Sequence, residues 1–461
     1  MQSAEHLAPR REAIAKTWDL KRGAVIIPAG LPIPVEGTDQ YHDFHVHPEF
    51  AYLGANHTPG AVLTFDEHDG WRLFAPTASL EDKVWVGEGE DLGALSDSIA
   101  LPVRPLAEFA PWLEERRGEP IALLGSSDIT RRAGGYGLAP WRTLEIPFDP
   151  DLSERLSTQV AEQRRAKDAS EVNLMRQAAE VSKLGHLAAW RLARPGVDER
   201  RLQIELEAEF FRNGAPRTAY GSIVGTGSNG SVLHFSPTNR GLREGELVLI
   251  DAGAEIGGYA SDVTRTFPVN GTFEGAQRDL YQLVLDVQRT AIANARPGVE
   301  YKDLHLAACR QMAAGLVELG ILRGKPRDLV DRDAHALFFP HGLGHMLGLS
   351  THDAGGCLAG RSPSDRFGLK WLRADLPLQP GYVVTIEPGL YFIRALLTDP
   401  GRRQQYRDDV NWQRVDGMLD FGGIRIEDDV LITEGPADVL SGGLPTSIAE
   451  IERLRQEALE A

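Results

Sequence analysis

Residues 245–267 read GELVLIDAGAEIGGYASDVTRTF, and this stretch is the most informative one about the fold. The apolar run 247–250 is typical of a buried strand, and Gly257 and Gly258 are a turn signal. Residues 259–267 read as the returning strand. The segment therefore predicts a β-hairpin.

Two acids of this hairpin are predicted to face each other. If the hairpin is symmetric about Ile256 and Gly257, Asp251 lies directly opposite Asp262 on the same face. Two carboxylates about 5 Å apart repel each other and destabilise a sheet. The pattern therefore predicts that the pair shares a proton or holds a cation.

The same pattern occurs again further along the chain. Residues 381–387, GYVVTIE, parallel residues 245–251, with a carboxylate six residues after the glycine in both. A Gly-Gly pair ends four residues before Asp262 and again four residues before Glu427, and ARPGV occurs at 193–197 and at 295–299. Three repeated motifs in the same order along the chain indicate a duplicated half-domain. Each half would place paired carboxylates in one shared pocket.

Two histidines lie in the segment PHGLGH, at positions 341 and 345. Their four-residue spacing imitates a zinc-binding helix, but two glycines disfavour a helix and no glutamate follows His341. One histidine with four acids gives an oxygen-rich site that suits two divalent cations better than a structural zinc. Four carboxylates would balance the charge of two such cations.

Composition limits the other classes of function. The 461 residues suggest two or three domains, and we place a boundary near residue 160, between 1–160 and 161–461. The formal net charge of −17 argues against a nucleic-acid partner. No run of about 18 apolar residues suggests a membrane span, and two cysteines cannot form a disulfide framework. A cytoplasmic protein is expected.

Five residues carry a resemblance to a known family. In order and local context, Asp251, Asp262, His345, Glu387 and Glu427 match the ligands of the pita-bread metallopeptidases, family M24B, which include methionine aminopeptidase, aminopeptidase P, prolidase and creatinase. The resemblance implies an α/β (α+β) fold. A creatinase-type N-terminal domain would precede a pita-bread catalytic domain with internal pseudo-twofold duplication. Because creatinase lacks the metal ligands, five intact ligands favour a peptidase.

The resemblance also implies a metal arrangement. Two divalent ions are expected, with Mn²⁺ as first choice and Co²⁺ or Zn²⁺ as alternatives, and a hydroxide between them as the nucleophile. Asp251 would bind the second metal, Asp262 and Glu427 would bridge both, and His345 and Glu387 would complete the first. Glu387 would also carry a proton to the proline nitrogen.

Further positions resemble the proline-specific branch and suggest substrate contacts. His234 in VLHF or His352 would stabilise the oxyanion together with one metal, and His341 would orient a metal-bound group. Arg425 would neutralise the acids or touch the peptide. Arg373 aligns with the arginine by which prolidases bind the terminal carboxylate of a dipeptide.

Together with an insertion over residues 390–421, these positions favour an Xaa-Pro dipeptidase (prolidase) acting on small proline-containing peptides. Two alternatives stay open. One is aminopeptidase P, which releases the first residue of longer Xaa-Pro peptides, and the other is a non-catalytic pita-bread protein that binds peptide. Organophosphate hydrolysis would be a side activity of the same site. The family resemblance also implies a homodimer.

Overall fold

The chain divides into two units, Met1–Arg164 and Arg165–Ala461, in a computed structural model that describes residues 4–54, 58–85, 87–125, 148–358 and 360–460. The sequence placed the boundary near residue 160. None of the described helices is long and apolar enough to cross a membrane.

The first unit is built on a mixed sheet in the strand order β4-β3-β2-β1-β5. Its strands are β1 Ala24–Pro28, β2 Val62–Asp66, β3 Gly70–Ala75, β4 Val103–Pro105 and β5 Ile121–Leu123. Its helices are Ala4–Trp18, Pro48–Leu53, Leu80–Trp85, Leu92–Ile99, Phe109–Glu114 and Pro150–Arg165, the last reaching the boundary. Every residue of β1 is buried, because its neighbours in the sheet and the helices cover it.

The second unit combines long helices with short strands, which pair antiparallel except for the parallel pair β12 and β13. Its helices are Ala169–Leu192, Glu199–Arg212, Ala276–Asn294, Tyr301–Glu318, Pro326–Asp331, Arg394–Leu397, Pro400–Gln405, Trp412–Asp416 and Ile448–Glu460. Its strands are β6 Arg217–Thr218, β7 Ile223–Thr226, β8 Leu247–Asp251, β9 Ala254–Ile256, β10 Tyr259–Ala260, β11 Thr264–Pro268, β12 Gly356–Cys357, β13 Ala374–Asp375, β14 Val383–Ile386, β15 Gly389–Tyr391, β16 Gly423–Arg425, β17 Asp428–Leu431 and β18 Asp438–Val439. Their apolar faces form one large core.

Helix Ala169–Leu192 begins at a hydrogen-bonded cap. The Asp168 side chain accepts from the backbone N–H of Glu171, and the Glu171 side chain accepts from the N–H of Asp168, which is a complete capping box.

The duplication is visible in equivalent backbone contacts. The Gly196 N–H donates to the carbonyl of Leu242, five residues before β8, and the Gly298 N–H donates to the carbonyl of Leu378, five residues before β14. Each ARPGV turn is followed by a helix, Glu199–Arg212 in one half and Tyr301–Glu318 in the other. Both halves therefore fold as helices packed on a hairpin, which confirms the predicted pita-bread duplication.

The first hairpin forms, but its predicted register is wrong. Gly257 and Gly258 have φ values of +59° and +88°, so they are the two central residues of a tight turn that requires positive φ at both positions. The hairpin axis then falls between the glycines rather than at Ile256 and Gly257. Asp251 pairs with Thr264, not with Asp262, which lies diagonally across on the same face.

A glycine without space for a side chain holds the middle of this hairpin. A Cβ on Gly253 would lie 1.8 Å from the carbonyl oxygen of Ser261. Only a glycine therefore lets the two segments of the hairpin approach each other between Asp251 and Asp262.

In the second hairpin, formed by β14 and β15 against β17 and β16, Glu387 and Glu427 lie directly opposite each other. β14 pairs with β17 so that Ile386 faces Asp428, and β15 pairs with β16 so that Gly389 faces Arg425. The same register on both sides of the gap sets Glu387 against Glu427.

Candidate metal centre

Four acids reach one place because the two hairpins meet along β11 and β16. The Glu427 N–H donates to the carbonyl of Thr264 at 3.1 Å, and the Arg425 N–H donates to Thr266 Oγ1 at 3.2 Å. Asp251 ends β8 and Asp262 precedes β11, so both lie beside the second hairpin. The sequence predicted this convergence from the duplicated motifs.

His345 joins the acids from a separate segment that runs beside β14. Its N–H donates to Thr385 Oγ1 at 3.0 Å, and the Thr385 N–H donates to its carbonyl at 2.9 Å. His345 Nε2 lies 3.4 Å from Asp262 Oδ2 and 3.5 Å from Glu387 Oε1. Residues 341–345 form no helix, as predicted from the glycines.

The other ring nitrogen of His345 fixes its orientation. Nδ1 lies 3.0 Å from the carbonyl of Met346. Because a carbonyl only accepts, Nδ1 carries a proton in this contact, and Nε2, on the side of the acids, can offer its lone pair to a cation. A neutral imidazole held in this way is the form that binds a metal.

Three of these side chains have ligand atoms close enough for one cation. The ligand atoms of Asp262, His345 and Glu427, all buried, lie within 4.8 Å of one another. The set of carboxylate oxygens and one imidazole nitrogen suits a divalent cation. This chemistry and geometry fit the metal that the resemblance implies.

The electrostatics of the acids also fit a cation. Desolvation by burial, followed by the charges of neighbouring acids, raises the pKa of Glu427 well above its usual value. Burial likewise raises the pKa of Glu387 to about 7 and raises that of Asp251, although Arg425 opposes both changes. Asp262 differs, because its contact with His345 outweighs burial and lowers its pKa. The ionised forms of the other three acids are unfavourable by themselves, and a divalent cation would stabilise them.

Polar neighbours hold the remaining acids in place. Asp251 accepts from Tyr220 OH at 2.6 Å and pairs with Arg425 Nη2 at 2.5 Å. Thr264 Oγ1 donates to Glu427 Oε2 at 2.6 Å and lies 3.0 Å from Arg425 Nε. Arg425 is thus buried as the ionic partner of a predicted ligand, one of the two roles that the sequence allowed.

His341 lies behind the cluster. Its Nδ1 is 3.6 Å from Glu387 Oε2 and 2.8 Å from the carbonyl of Gly342, and its Nε2 is 2.9 Å from Tyr391 OH. Burial, and then the charge of Arg425, lowers its pKa to about 3. His341 is therefore neutral at physiological pH.

The remaining predicted contacts, His234, His352 and Arg373, are exposed and lie within electrostatic range of histidines of the site. The ring of His352 stands edge-on to His345 with centroids 4.4 Å apart. Desolvation of the ring, followed by the charges of His345 and Arg373, lowers the pKa of His352. His234 is exposed, and its charge lowers the pKa of both His341 and His352.

Sequence reasoning missed one acid that supports the site. Asp429 is fully buried and accepts from the N–H of Asp262 at 3.1 Å and from Ser261 Oγ at 2.8 Å. It follows two other acids, Glu427 and Asp428, in a strand with apolar flanks. That run of three acids was the signal that could have revealed it, because acids are seldom buried without a role.

Comparisons with known proteins agree with this geometry. The profile of metallopeptidase family M24 matches residues 173–434, more than half of the chain, and that of the aminopeptidase P N-terminal domain matches residues 7–118. The chain is 33% identical to the Xaa-Pro aminopeptidase of Escherichia coli (strain K12) over 98% of both chains. It is 32% identical to a probable Xaa-Pro aminopeptidase of Botryotinia fuckeliana over 98% of this chain and 95% of the relative.

Solved structures give the same result. Pseudomonas aeruginosa aminopeptidase PepP superposes with a TM-score of 0.82 at 31% identity, covering 100% of this chain and 99% of that one. Aminopeptidase P from E. coli with the inhibitor Pro-Leu superposes with a TM-score of 0.80 at 31% identity, covering all of both chains. These relatives support the predicted family and fit aminopeptidase P better than the prolidase branch that the motifs favoured. The chain therefore belongs to metallopeptidase family M24, as a hydrolase in which an aminopeptidase P-type N-terminal domain precedes a pita-bread catalytic domain.

Proposed function

We propose that this protein is an Xaa-Pro aminopeptidase, which removes the first residue from peptides with proline in the second position. The observation that carries the proposal is that relatives named for this activity match nearly the whole chain, both domains included. The five side chains of the candidate metal site are buried or partly buried, as the active site of such a hydrolase requires.

We further propose that the cluster holds two divalent cations, with Mn²⁺ as the first choice of metal. The residues that would hold them are Asp251, Asp262, His345, Glu387 and Glu427. When bound, such ions lower the pKa of a water and polarise the scissile carbonyl. Oxygen donors predominate in the set, which favours Mn²⁺ over softer metals.

The chain's own residues would divide the other tasks. Glu387 lies within 3.6 Å of two imidazoles and would carry a proton to the proline nitrogen, which must be protonated to leave. His234 and His352, on the exposed side, would donate hydrogen bonds to the oxyanion. Arg425 would keep Asp251 ionised and in place through their 2.5 Å contact.

Arg373 bears on the choice between dipeptides and longer peptides. Selecting a dipeptide requires a cation held rigidly one residue beyond the cut. Arg373 is exposed, and in the described part of the chain its guanidinium has no hydrogen bond or ion pair that would fix it. A guanidinium free to move can bind the terminal carboxylate of a dipeptide, but it can also move aside for a longer peptide. This freedom favours the aminopeptidase over a strict dipeptidase.

The substrates expected are therefore small proline-containing peptides, and we retain the prediction of a homodimer. The direct test compares kcat/KM for an Ala-Pro-Ala tripeptide and the Ala-Pro dipeptide, using Mn²⁺-loaded enzyme. The tripeptide should be preferred by at least about tenfold. A preference for the dipeptide, abolished by Arg373→Ala, would instead establish the prolidase activity that the motifs favoured. Asp262→Asn serves as the inactive control.

A further inference from the structure

A single buried carboxylate fastens the loop that carries His234. Glu199, 0% exposed, accepts through Oε1 from the N–H of Thr226 at 3.0 Å and from Asn229 Nδ2 at 2.8 Å. Through Oε2 it accepts from the N–H of Thr238 at 3.2 Å and from Thr238 Oγ1 at 2.7 Å. These donors lie before and after His234 in the chain, so the Glu199 side chain fixes both ends of residues 226–238, called here the His234 loop.

The same loop is held on its other side by close backbone packing. A Cβ on Gly422 would lie 2.0 Å from the carbonyl oxygen of Gly227, and one on Gly423 would lie 2.4 Å from that of Gly230. Gly423 begins β16, the strand that leads to Glu427. The His234 loop therefore packs between Glu199 and the strand that carries the acids of the site.

The hydrogen bonds of the Glu199 side chain depend on this loop. In the described part of the chain Glu199 has no ion pair, and the nearby Arg240 pairs with Glu246 at 2.5 Å. A buried carboxylate is costly unless hydrogen bonds replace its hydration. All four side-chain hydrogen bonds of Glu199 come from the His234 loop, so the buried side chain keeps its partners only while the loop keeps this conformation.

We propose that Glu199 is a positioning residue that holds His234 against the bound peptide. The inference rests on the proposed function, because the position of His234 matters only where His234 contacts a substrate. Glu199 itself does not touch the reacting atoms, and it acts through the loop.

The test begins with Glu199→Gln, which keeps the size of the side chain and removes one acceptor oxygen. The new amide NH₂ must face the donors at one end of the loop, so at least one backbone N–H loses its partner. We expect kcat/KM for the tripeptide to fall about tenfold. The matched control is Glu452→Gln, which also removes a carboxylate that accepts from a backbone N–H, that of Phe273, and pairs with an arginine. Its kcat/KM should stay within twofold of the wild type.

A double-mutant cycle separates positioning from general damage. In the His234→Ala background, Glu199→Gln should lower kcat/KM by less than twofold, because the side chain that it positions is already gone. Thr238→Val, which removes one donor and leaves the carboxylate intact, should show the same dependence on His234 with a smaller effect. This second variant keeps the proposal testable if Glu199→Gln folds poorly.

Two results would overturn the inference. One is an equal loss of activity from Glu199→Gln with and without His234, and the other is a His234→Ala enzyme as active as the wild type. Failure of the proposed function looks different, since the wild type would then prefer another peptide. The cycle run with that peptide would still decide the role of Glu199.

Discussion

Replacing Glu387 by glutamine should change stability with a sign that depends on bound metal. Glu387 is partly buried among acids, and desolvation raises its pKa from 4.5 to about 7, although the charges of His345 and Arg425 act in the opposite direction. In the unfolded chain the carboxyl group ionises near its usual value. Between these two pH values the folded protein without metal holds a proton that the unfolded chain has released.

The sign and size of the effect follow from this difference. Because the folded state binds more protons, the wild-type protein loses stability as the pH rises from about 4.5 to about 7. The two pKa values correspond to about 3 kcal/mol of lost stability at pH 8 and to less than about 1 kcal/mol at pH 5. A glutamine cannot ionise, so Glu387→Gln avoids the loss.

The assay is the Tm of wild-type and Glu387→Gln protein, in chelator and with Mn²⁺, at pH 5 and pH 8. In chelator at pH 8 the variant should be the more stable by about 3 kcal/mol, about 3–5 °C in Tm, and at pH 5 the two should nearly coincide. With Mn²⁺ the wild type should be the more stable, because the variant has lost a ligand. Buried histidines that do not interact with Glu387, such as His186 and His305, titrate alike in both proteins and cancel. A variant less stable than the wild type in chelator at pH 8 would refute the electrostatic reasoning.

Three further changes test the supports of the site. Asp429→Asn weakens the acceptor of the Asp262 N–H, and calorimetric titration should show Mn²⁺ affinity lowered about tenfold with the metal ligands intact. Arg265→Met leaves a buried carboxylate without its 2.7 Å cationic partner, so urea unfolding should show a loss of about 3–5 kcal/mol, and a loss below 1 kcal/mol would contradict the pairing. Gly253→Ala puts a Cβ 1.8 Å from a carbonyl oxygen and should lower both Tm and metal binding, whereas Gly221→Ala, with nothing within 4 Å, should leave both unchanged.

The first hairpin shows how far local patterns determine a strand pair. The apolar run and the Gly-Gly turn form as predicted, because these signals act over a few residues, and the predicted return strand forms in two pieces, β10 and β11. The register differed because symmetry about Ile256 and Gly257 ignored the turn type. A two-residue turn with positive φ at both glycines moves the axis by one residue and each pairing partner by two.

The choice of branch within the family was harder to predict than the family. Five side chains in the order and local context of the family's ligands predicted a metallopeptidase, and the family match confirms it. Arg373 and the segment over 390–421 pointed to prolidase, but whether a guanidinium is held or free to move depends on its surroundings. Full-length relatives fit aminopeptidase P better.

Local sequence patterns predicted which acidic and histidine side chains come together and that two similar hairpins present them, because the spacing of acids, glycines and apolar runs is fixed by strand and turn geometry. How these pieces meet depends on long-range contacts in the folded chain: the contact of Thr264 with Glu427 joins residues 163 positions apart. Likewise, the supports given by Asp429 and Glu199 come from packing between distant segments. Such contacts depend on which buried polar groups find partners in the folded chain, and no local pattern encodes that choice.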